Sequence, residues 1–343
     1  MTVLDGLLRA AGNVLVPGGT GSRLSILYHH RVLPAPDALR PNTPDARLFE
    51  EWMTRCAAVF HVLPVEEALA RMAAGTLPPR AACITFDDGY RDSYEVAMPI
   101  LQRHGLTATF FIATGFLDRG RMFYDTVIEA VRRMPTGALD LDWAGLGERH
   151  VADTPSRLAL IDELILVTKY ASNEDRDAFC DRLAQCIDES LPDDLMMDAE
   201  QVRAMHRGGM SIGGHTVNHP ILNEMPLEHA RWEIESNRQS LAGLLDAPPA
   251  LFAYPNGKPL VDYRVEHVDA VIAAGYQAAF TTAYGTALRE HDVFQLPRLS
   301  PWERSGLRFA LHLLRGPVCA YPFPTRKSAQ PPSPDLRSGE AQG

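Results

Sequence analysis

The chain has 343 residues, which is long for one ordinary domain but within the range of a single α/β barrel. Hydrophobic residues make up 46% and charged residues 22% of the chain, which excludes collagen-like, coiled-coil and wholly disordered proteins. The formal net charge is -10, so a general nucleic-acid binder, which needs a basic face, is excluded as well.

The first predicted element is an N-terminal helix followed by a linker, over residues 1–23. Its apolar residues recur at helical spacing: Leu4, Leu7, Leu8, Ala11, Val14 and Leu15. We expect this helix to pack on the domain; a peripheral membrane contact is the alternative, and the shortage of Lys and Arg weighs against it. Because no basic leader region and no run of roughly 20 apolar residues is seen, we expect a cytoplasmic location or one peripheral to the inner face of the membrane.

Short apolar runs rich in β-branched and aromatic residues then alternate with segments of helical periodicity. The predicted strands are 24–28, 60–63, 82–86, 108–112, 210–213, 251–254 and 278–281, and the predicted helices are 48–58, 65–74, 93–104, 227–245 and 262–274. Near-continuous apolar strands in βα order are typical of parallel sheets covered by helices. The expected fold class is α/β, as a barrel or a doubly wound sheet.

Two segments depart from this rhythm. Residues from about 120 to 205 have helical patterns and no convincing strand, which predicts a helical insertion within one domain at 24–316. The tail at 317–343 is rich in proline and buries little apolar surface, so we expect it to be disordered.

Polar residues suited to catalysis stand where four of the predicted strands end. They are His29 and His30, Asp87 and Asp88, His215 and His219, and the Tyr-Pro-Asn-Gly run at 254–257. In α/β barrels the carboxyl ends of the strands converge over the mouth, so we expect these groups to share one site. Gly89 permits a sharp turn after the acid pair, which lets both carboxylates reach one cavity; a solvated turn is the alternative.

His215 and His219, with a carboxylate from another strand end, form a metal-ligand set. Gly213, Gly214 and Pro220 argue against a regular helix here, so the pair is placed on a loop after a strand. Two imidazoles and one carboxylate suit Zn²⁺ with an open position for water, and they equally suit Fe²⁺ in a facial triad. The residues alone leave both metals open.

The motifs TFDDG at 85–89 and HTVNH at 215–219 resemble the two signatures of the polysaccharide deacetylase family, the NodB-homology domain of carbohydrate esterase family 4. The resemblance covers residues from about 24 to 300. It implies a distorted (β/α) barrel of about seven parallel strands. It also implies a hydrolase that removes N-acetyl groups from amino sugars of a polysaccharide or its precursor.

The resemblance further assigns roles to individual residues. Asp88, His215 and His219 would hold a divalent metal, usually zinc, with Fe²⁺, Ni²⁺ or Co²⁺ as other occupants, and Asp87 would be the general base. In the third motif, whose pattern is RxxYP, the backbone N–H of Tyr254 would stabilise the oxyanion. Leu251 replaces the arginine that orients the base, and Arg298 is the candidate substitute.

The general acid is expected from an LxH motif that stands ahead of the first signature, at 27–29. This order resembles the circularly permuted poly-N-acetylglucosamine deacetylases, and it indicates His29, with His30 as the second choice. His312 is interpreted as a helix-face residue. Asn256, Arg298 and Trp302 are the expected substrate-binding residues. The expected partner is an N-acetylated oligosaccharide or polysaccharide, or a lipid-linked precursor.

Three other functions compete with deacetylation. A non-haem Fe(II) enzyme would use the same three ligands but has no need of Asp87 beside them. A carbohydrate-binding homologue with weak catalysis is suggested by Leu251. A glycosidase with Asp87 and Asp88 as its acid pair is disfavoured, because neighbouring residues rarely hold carboxyl groups about 5 Å or more apart across a substrate.

Overall fold

The structure, a computed structural model, describes residues 2–118, 120–317, 319 and 322–325. The strands are β1 Ser25–His29, β2 His61–Val62, β3 Ala81–Phe86, β4 Thr109–Ile112, β5 Gly137–Leu141, β6 Gly147–Val151, β7 Ser211–Gly214, β8 Leu251–Ala253, β9 Ala278–Tyr284 and β10 Leu296–Arg298. The helices are α1 Val3–Leu15, α2 Ala46–Val59, α3 Val65–Ala74, α4 Met98–Arg103, α5 Phe123–Arg133, α6 Thr154–Thr168, α7 Asn173–Ala184, α8 Ala199–Arg207, α9 Leu227–Leu245, α10 Val265–Ala273 and α11 Gly306–Arg315.

Seven parallel strands form a nearly closed barrel in the order β1, β3, β4, β7, β8, β9, β10. Leu299, directly after β10, closes the ring: its N–H donates to the carbonyl of Ile26 at 2.7 Å, and its carbonyl accepts the N–H of Tyr28 at 3.0 Å. The short β2 pairs with the start of β3. The predicted α/β barrel is confirmed, and β10 is a strand that the sequence patterns did not indicate.

Side chains from different strands fill the inside of the barrel, among them Ile26, Cys83, Phe111, Leu251, Phe280 and Leu296. The alternate residues of β3, such as Ile84 and Phe86, belong to the cluster that includes Phe49 and Trp52 of α2. All six residues of β3 are therefore buried, as a strand covered on both faces requires. Because the interior is packed, a substrate can be admitted only at an end of the barrel.

The insertion between β4 and β7 has its own small core, which includes Val127, Leu141 and Leu164. Its helices α5, α6 and α7 lie where helical patterns were found. The expectation that it holds no strand is wrong, because β5 and β6 pair as an antiparallel hairpin. Most of the predicted disordered tail lies outside the described residues. One described part contacts the barrel domain, since Gln295 Nε2 donates to the carbonyl of Pro324 at 2.9 Å.

The N-terminal helix α1 begins with a capping box between Thr2 and Asp5. Asp5 also pairs with Arg55 of α2 at 2.5 Å, and the buried face of α1 is completed by Leu8 and Gly12. Within the described part of the chain, no helix combines the length and the apolar character needed to cross a membrane.

Candidate active site

A cavity of about 450 Å³ opens at the carboxyl ends of the barrel strands. Its wall includes Tyr28, His29 and His30 at the end of β1, Asp87 and Asp88 after β3, His215 and His219 after β7, and Asn256 after β8. The strand ends that the sequence indicated thus meet at one place. What each side chain does there depends on its local geometry.

Backbone conformations with positive φ shape the wall of this cavity. Asp88 has φ 79° and Gly89 has φ 97°, so the chain reverses directly after the strand and both carboxylates reach the cavity. Thr216 and His219 in the loop after β7, and Asn256 after β8, also have positive φ, at 64°, 51° and 57°. Non-glycine residues rarely adopt this region, and each such case costs on the order of 1–3 kcal/mol.

Asp88, His215 and His219 converge as a ligand set would. Oδ1 of Asp88 lies 3.3 Å from Nε2 of His215 and 3.3 Å from Nε2 of His219, and all three residues are buried. Nδ1 of His215 bonds to the carbonyl of Ala253 at 2.7 Å, which leaves Nε2 as the free ligand atom. Oδ1 of Asp88 is buried without a hydrogen-bond partner. A divalent cation would satisfy this oxygen, so the residues fit such an ion.

The electrostatics of the cluster favour the ligand forms of Asp88 and His219. Burial alone would raise the pKa of Asp88, but its contacts with His215 and His219 hold that pKa below its ordinary value. Burial lowers the pKa of His219 to about 3, so its imidazole is neutral. Burial also acts against the charged form of His215, but the neighbouring Asp88 and Asp87 raise its pKa. Metal ligands must be deprotonated, so a bound cation would displace the proton from His215 although Asp87 and Asp88 favour its protonated form.

Two buried polar residues of α9 hold the loop that carries the histidines. Oδ1 of Asn237 accepts the N–H of His215 at 3.2 Å, and its Nδ2 donates to the carbonyl of Ile112 at 2.9 Å. Oε2 of Glu233 accepts two backbone N–H groups, those of Val217 and Asn218, each at 2.8 Å. The sequence reasoning missed both residues, although polar side chains on the buried face of a helix are a usable signal.

Asp87 forms a buried bidentate ion pair with Arg298. The distances are 2.8 Å from Nη1 to Oδ1 and 2.7 Å from Nη2 to Oδ2, and Arg298 is fully buried. Burial alone would raise the pKa of Asp87, but Arg298 outweighs it and lowers that pKa. Arg298 is thus in the position to orient the acid, as the replacement at Leu251 suggested. It does not line the cavity, which is at odds with the expectation that it contacts substrate.

The two histidines at the end of β1, His29 and His30, have different surroundings. The ring of His29 packs on Phe49, Trp52 and Phe86, at centroid distances of 5.4, 5.8 and 5.1 Å. Its Nε2 is buried without a partner, and burial lowers its pKa to about 3. His30, one residue on, is exposed at the mouth, and its charge acts on both Asp87 and Asp88. Both histidines line the cavity, and His30 is the more accessible of the two.

The backbone N–H of Tyr254 is already engaged, since it donates to the carbonyl of Phe280 at 3.1 Å. Its side chain is fully buried. This bond is at odds with the expected oxyanion role of Tyr254. Asn256, two residues on, lines the cavity, and its N–H donates to no group in the described part of the chain. Oδ1 of Asn256 accepts the hydroxyl of Tyr124 at 3.1 Å, whereas its Nδ2 is buried without a partner.

The insertion is attached to the cavity wall through Asp125. Oδ1 of this fully buried carboxylate accepts Nη2 of Arg40 at 2.8 Å and Nη1 of Arg31 at 3.2 Å, and Oδ2 accepts the hydroxyl of Tyr90 at 2.9 Å. Arg31, Arg40 and Tyr90 all line the cavity and were not indicated by the sequence. Trp302 lies outside the lining, 60% exposed, with its ring 5.4 Å from that of Tyr284.

Comparison with known proteins agrees with the barrel and its acid and histidine cluster. A family model described as polysaccharide deacetylase matches residues 74–279, so the chain belongs to the polysaccharide deacetylase family of hydrolases. The putative polysaccharide deacetylase YxkH of Bacillus subtilis (strain 168) is 21% identical over 279 residues, which cover 81% of this chain and 71% of YxkH.

Two solved structures share the fold. The Streptococcus pyogenes deacetylase PplD, in complex with acetate, has a TM-score of 0.58 and 19% identity, covering 86% of this chain and 99% of PplD. IcaB from Ammonifex degensii has a TM-score of 0.55 and 18% identity, covering 87% of this chain and 98% of IcaB.

Proposed function

We propose that the protein is a metal-dependent N-deacetylase acting on N-acetylated amino sugars of an oligosaccharide, a polysaccharide or a lipid-linked precursor. The observation that carries the proposal is the buried set of Asp88, His215 and His219 beside an ionised Asp87 in one cavity. The relative PplD was solved with acetate, which is the product of such a reaction.

Each residue of the cavity then has a task in amide hydrolysis. A divalent cation held by Asp88, His215 and His219 would act as a Lewis acid and lower the pKa of water. Asp87, held by Arg298, accepts the proton of the attacking water. The N–H of Asn256 donates to the developing oxyanion, a contribution of about 3 kcal/mol for one such donor. His30 donates a proton to the departing amine.

The direct test is acetate release from a panel of N-acetylglucosamine oligomers and nucleotide- or lipid-linked sugars. Protein loaded with Zn²⁺, and in parallel with Fe²⁺, Ni²⁺ or Co²⁺, should release acetate from at least one member of the panel. Asp87→Asn should bind the same compound and release none, because the amide cannot accept a proton. Acetate release by Asp87→Asn at the rate of the parent, or none by the loaded parent from the whole panel, would contradict the proposal.

The histidine pair offers a matched comparison for the general acid. His30→Ala should lower the rate of acetate release on the order of 10²–10⁴-fold, the usual contribution of a positioned acid. His29→Leu should leave that rate nearly unchanged, because the His29 ring is buried among aromatic side chains and its low pKa keeps it neutral. Steady-state assays with thermal melting as a folding control decide between them. A loss confined to His29→Leu would reverse the assignment.

Trp302 stays a proposed substrate-binding residue, as an aromatic platform near the mouth for a further sugar unit. It follows Ser300 and Pro301, which line the cavity. Trp302→Ala should raise KM for a long oligomer about 5–10-fold, the value of one aromatic stacking contact, and leave kcat and the KM of a short substrate unchanged. Trp232 of α9, which is 55% exposed, provides the control, and Trp232→Ala should change neither KM. Equal effects of Trp302→Ala on short and long substrates would count against the platform.

A further inference from the structure

The outward face of α1 is more apolar than its buried face. Val3, Leu7 and Val14 are 85%, 64% and 81% exposed, and Leu4 and Leu15 are exposed beside them. The inward face includes the carboxylate of Asp5 and the bare backbone of Gly12. Successive helical residues are 100° apart, so the five exposed aliphatic side chains form one continuous stripe. A helix that used its apolar stripe to pack on the protein core would bury these residues, whereas α1 presents them to solvent.

The helix that packs beside α1, α11, also has exposed aliphatic side chains. Gly12 of α1 approaches Leu314 of α11, and the two helices pack together. On the helical wheel of α11, Leu307 and Leu311 lie next to Leu314, and they are 38% and 43% exposed. We call the exposed aliphatic residues of α1 together with Leu307 and Leu311 the α1–α11 face. Isolated exposed leucines need no explanation, but a contiguous patch such as this indicates an interaction surface.

The charge of this region differs from that of the whole chain. The chain carries a formal net charge of -10, yet α11 contains no carboxylate and α1 contains only Asp5, which is buried and paired with Arg55. Glu51 of α2, near the start of α11, is paired with Arg47. Arg308 and Arg315 of α11 are exposed. Among the described residues neither arginine is paired with a carboxylate, so cations border the aliphatic face there.

We propose that the α1–α11 face binds the surface of an anionic lipid bilayer. The aliphatic side chains enter the boundary between headgroups and acyl chains, and Arg308 and Arg315 contact lipid phosphates. Stable membrane binding requires both contributions, since a short apolar stripe alone or two arginines alone give only weak binding. Together they attach the barrel to a membrane without a spanning segment. This inference stands independently of the deacetylase chemistry.

Two other occupants fit the face less well. A second copy of the chain, docked with twofold symmetry, would place Arg308 and Arg315 near the same cations of its partner, with no free carboxylate of α1 or α11 to pair with them. The chain's own residues 326–343 contain a single large apolar side chain, Leu336, which is too little to cover the stripe.

The test is co-sedimentation of the full chain with vesicles. The parent protein should bind vesicles of phosphatidylcholine with phosphatidylglycerol and bind pure phosphatidylcholine vesicles far more weakly. The double variant Leu7→Glu with Val14→Glu should lose at least about tenfold in partitioning, because two inserted side chains become charged. The matched control is Leu166→Glu with Val167→Glu on α6, whose side chains are 73% and 44% exposed, and it should bind like the parent.

The arginines are tested separately with Arg308→Gln and Arg315→Gln. Each should weaken binding to the anionic vesicles about fivefold and leave binding to neutral vesicles unchanged. Melting temperatures close to that of the parent would show that the variants are folded, since all six substituted positions are exposed. The proposal is overturned if both glutamate pairs weaken binding equally, or if the parent does not bind anionic vesicles. It is also overturned if Leu7→Glu with Val14→Glu merely turns a dimer into a monomer in light scattering.

Discussion

Asp88→Asn should eliminate stoichiometric metal binding and lower acetate release on the order of 10³-fold or more, because the amide removes the anionic ligand and the cation supplies several kcal/mol of stabilisation. Oδ1 of Asp88 is the atom that both imidazoles approach, at 3.3 Å each, and Asp88 is the one carboxylate of this described group. Metal content after dialysis, measured together with acetate release, checks the prediction.

Reversible removal of the metal is the control for this substitution. The parent protein, stripped with a chelator, should lose activity and regain it on addition of Zn²⁺, whereas Asp88→Asn should remain inactive under the same treatment. If Asp88→Asn retains one tightly bound ion and the activity of the parent, the metal site lies elsewhere. Adding Fe²⁺ in place of Zn²⁺ to the stripped parent shows which of the two metals restores the higher rate.

The second large effect is expected at the ion pair of Asp87 and Arg298. Arg298→Met leaves a buried carboxylate without its partner, which should lower the free energy of unfolding by about 3–5 kcal/mol. The folded-state pKa of Asp87 is lowered, so the pair stabilises the fold above the ordinary carboxyl pKa of about 4 and loses this effect as pH falls through the folded value. The difference in stability between parent and Arg298→Met should therefore shrink in acid, as denaturant titrations at several pH values would show.

A double variant separates the lost ion pair from a packing defect. Arg298→Met combined with Asp87→Asn removes the uncompensated charge and should recover part of the lost stability, although it remains inactive. If the double variant is as unstable as Arg298→Met alone, or less stable, the charge of Asp87 is not the cause. Leu251 stands where the third motif has an arginine that orients the acid. In this chain the guanidinium that pairs with Asp87 comes from Arg298 of β10.

Regular features of the fold were readable from the sequence because they depend on local patterns. The buried strand ending in Asp87 and Asp88 was evident from a continuous apolar run followed by a glycine turn. The hairpin of β5 and β6 was not, because its strands have five residues each and lie among strongly helical segments. β10 has three residues and includes a proline, which leaves almost no periodicity to detect.

Within the site, the sequence indicates the residue types, whereas the individual roles depend on features that it does not specify. His29 and His30 are neighbours, and the face that each presents depends on the phase of β1, which one sequence motif does not determine. A backbone N–H, such as that of Tyr254 or Asn256, has no sequence signature, because whether it is free depends on the pairing of β8 with β9. Arg298, the ion-pair partner of Asp87, is 211 positions away in the sequence, so no local pattern connects the two residues.

The positive φ values of Asp88, Thr216, His219 and Asn256 carry an evolutionary consequence. Glycine would relieve the backbone strain at each of these positions, so substitution by glycine there should raise thermal stability and lower the catalytic rate. Homologues selected for stability alone would therefore accumulate glycine at these positions. They would keep the barrel fold and lose hydrolytic activity.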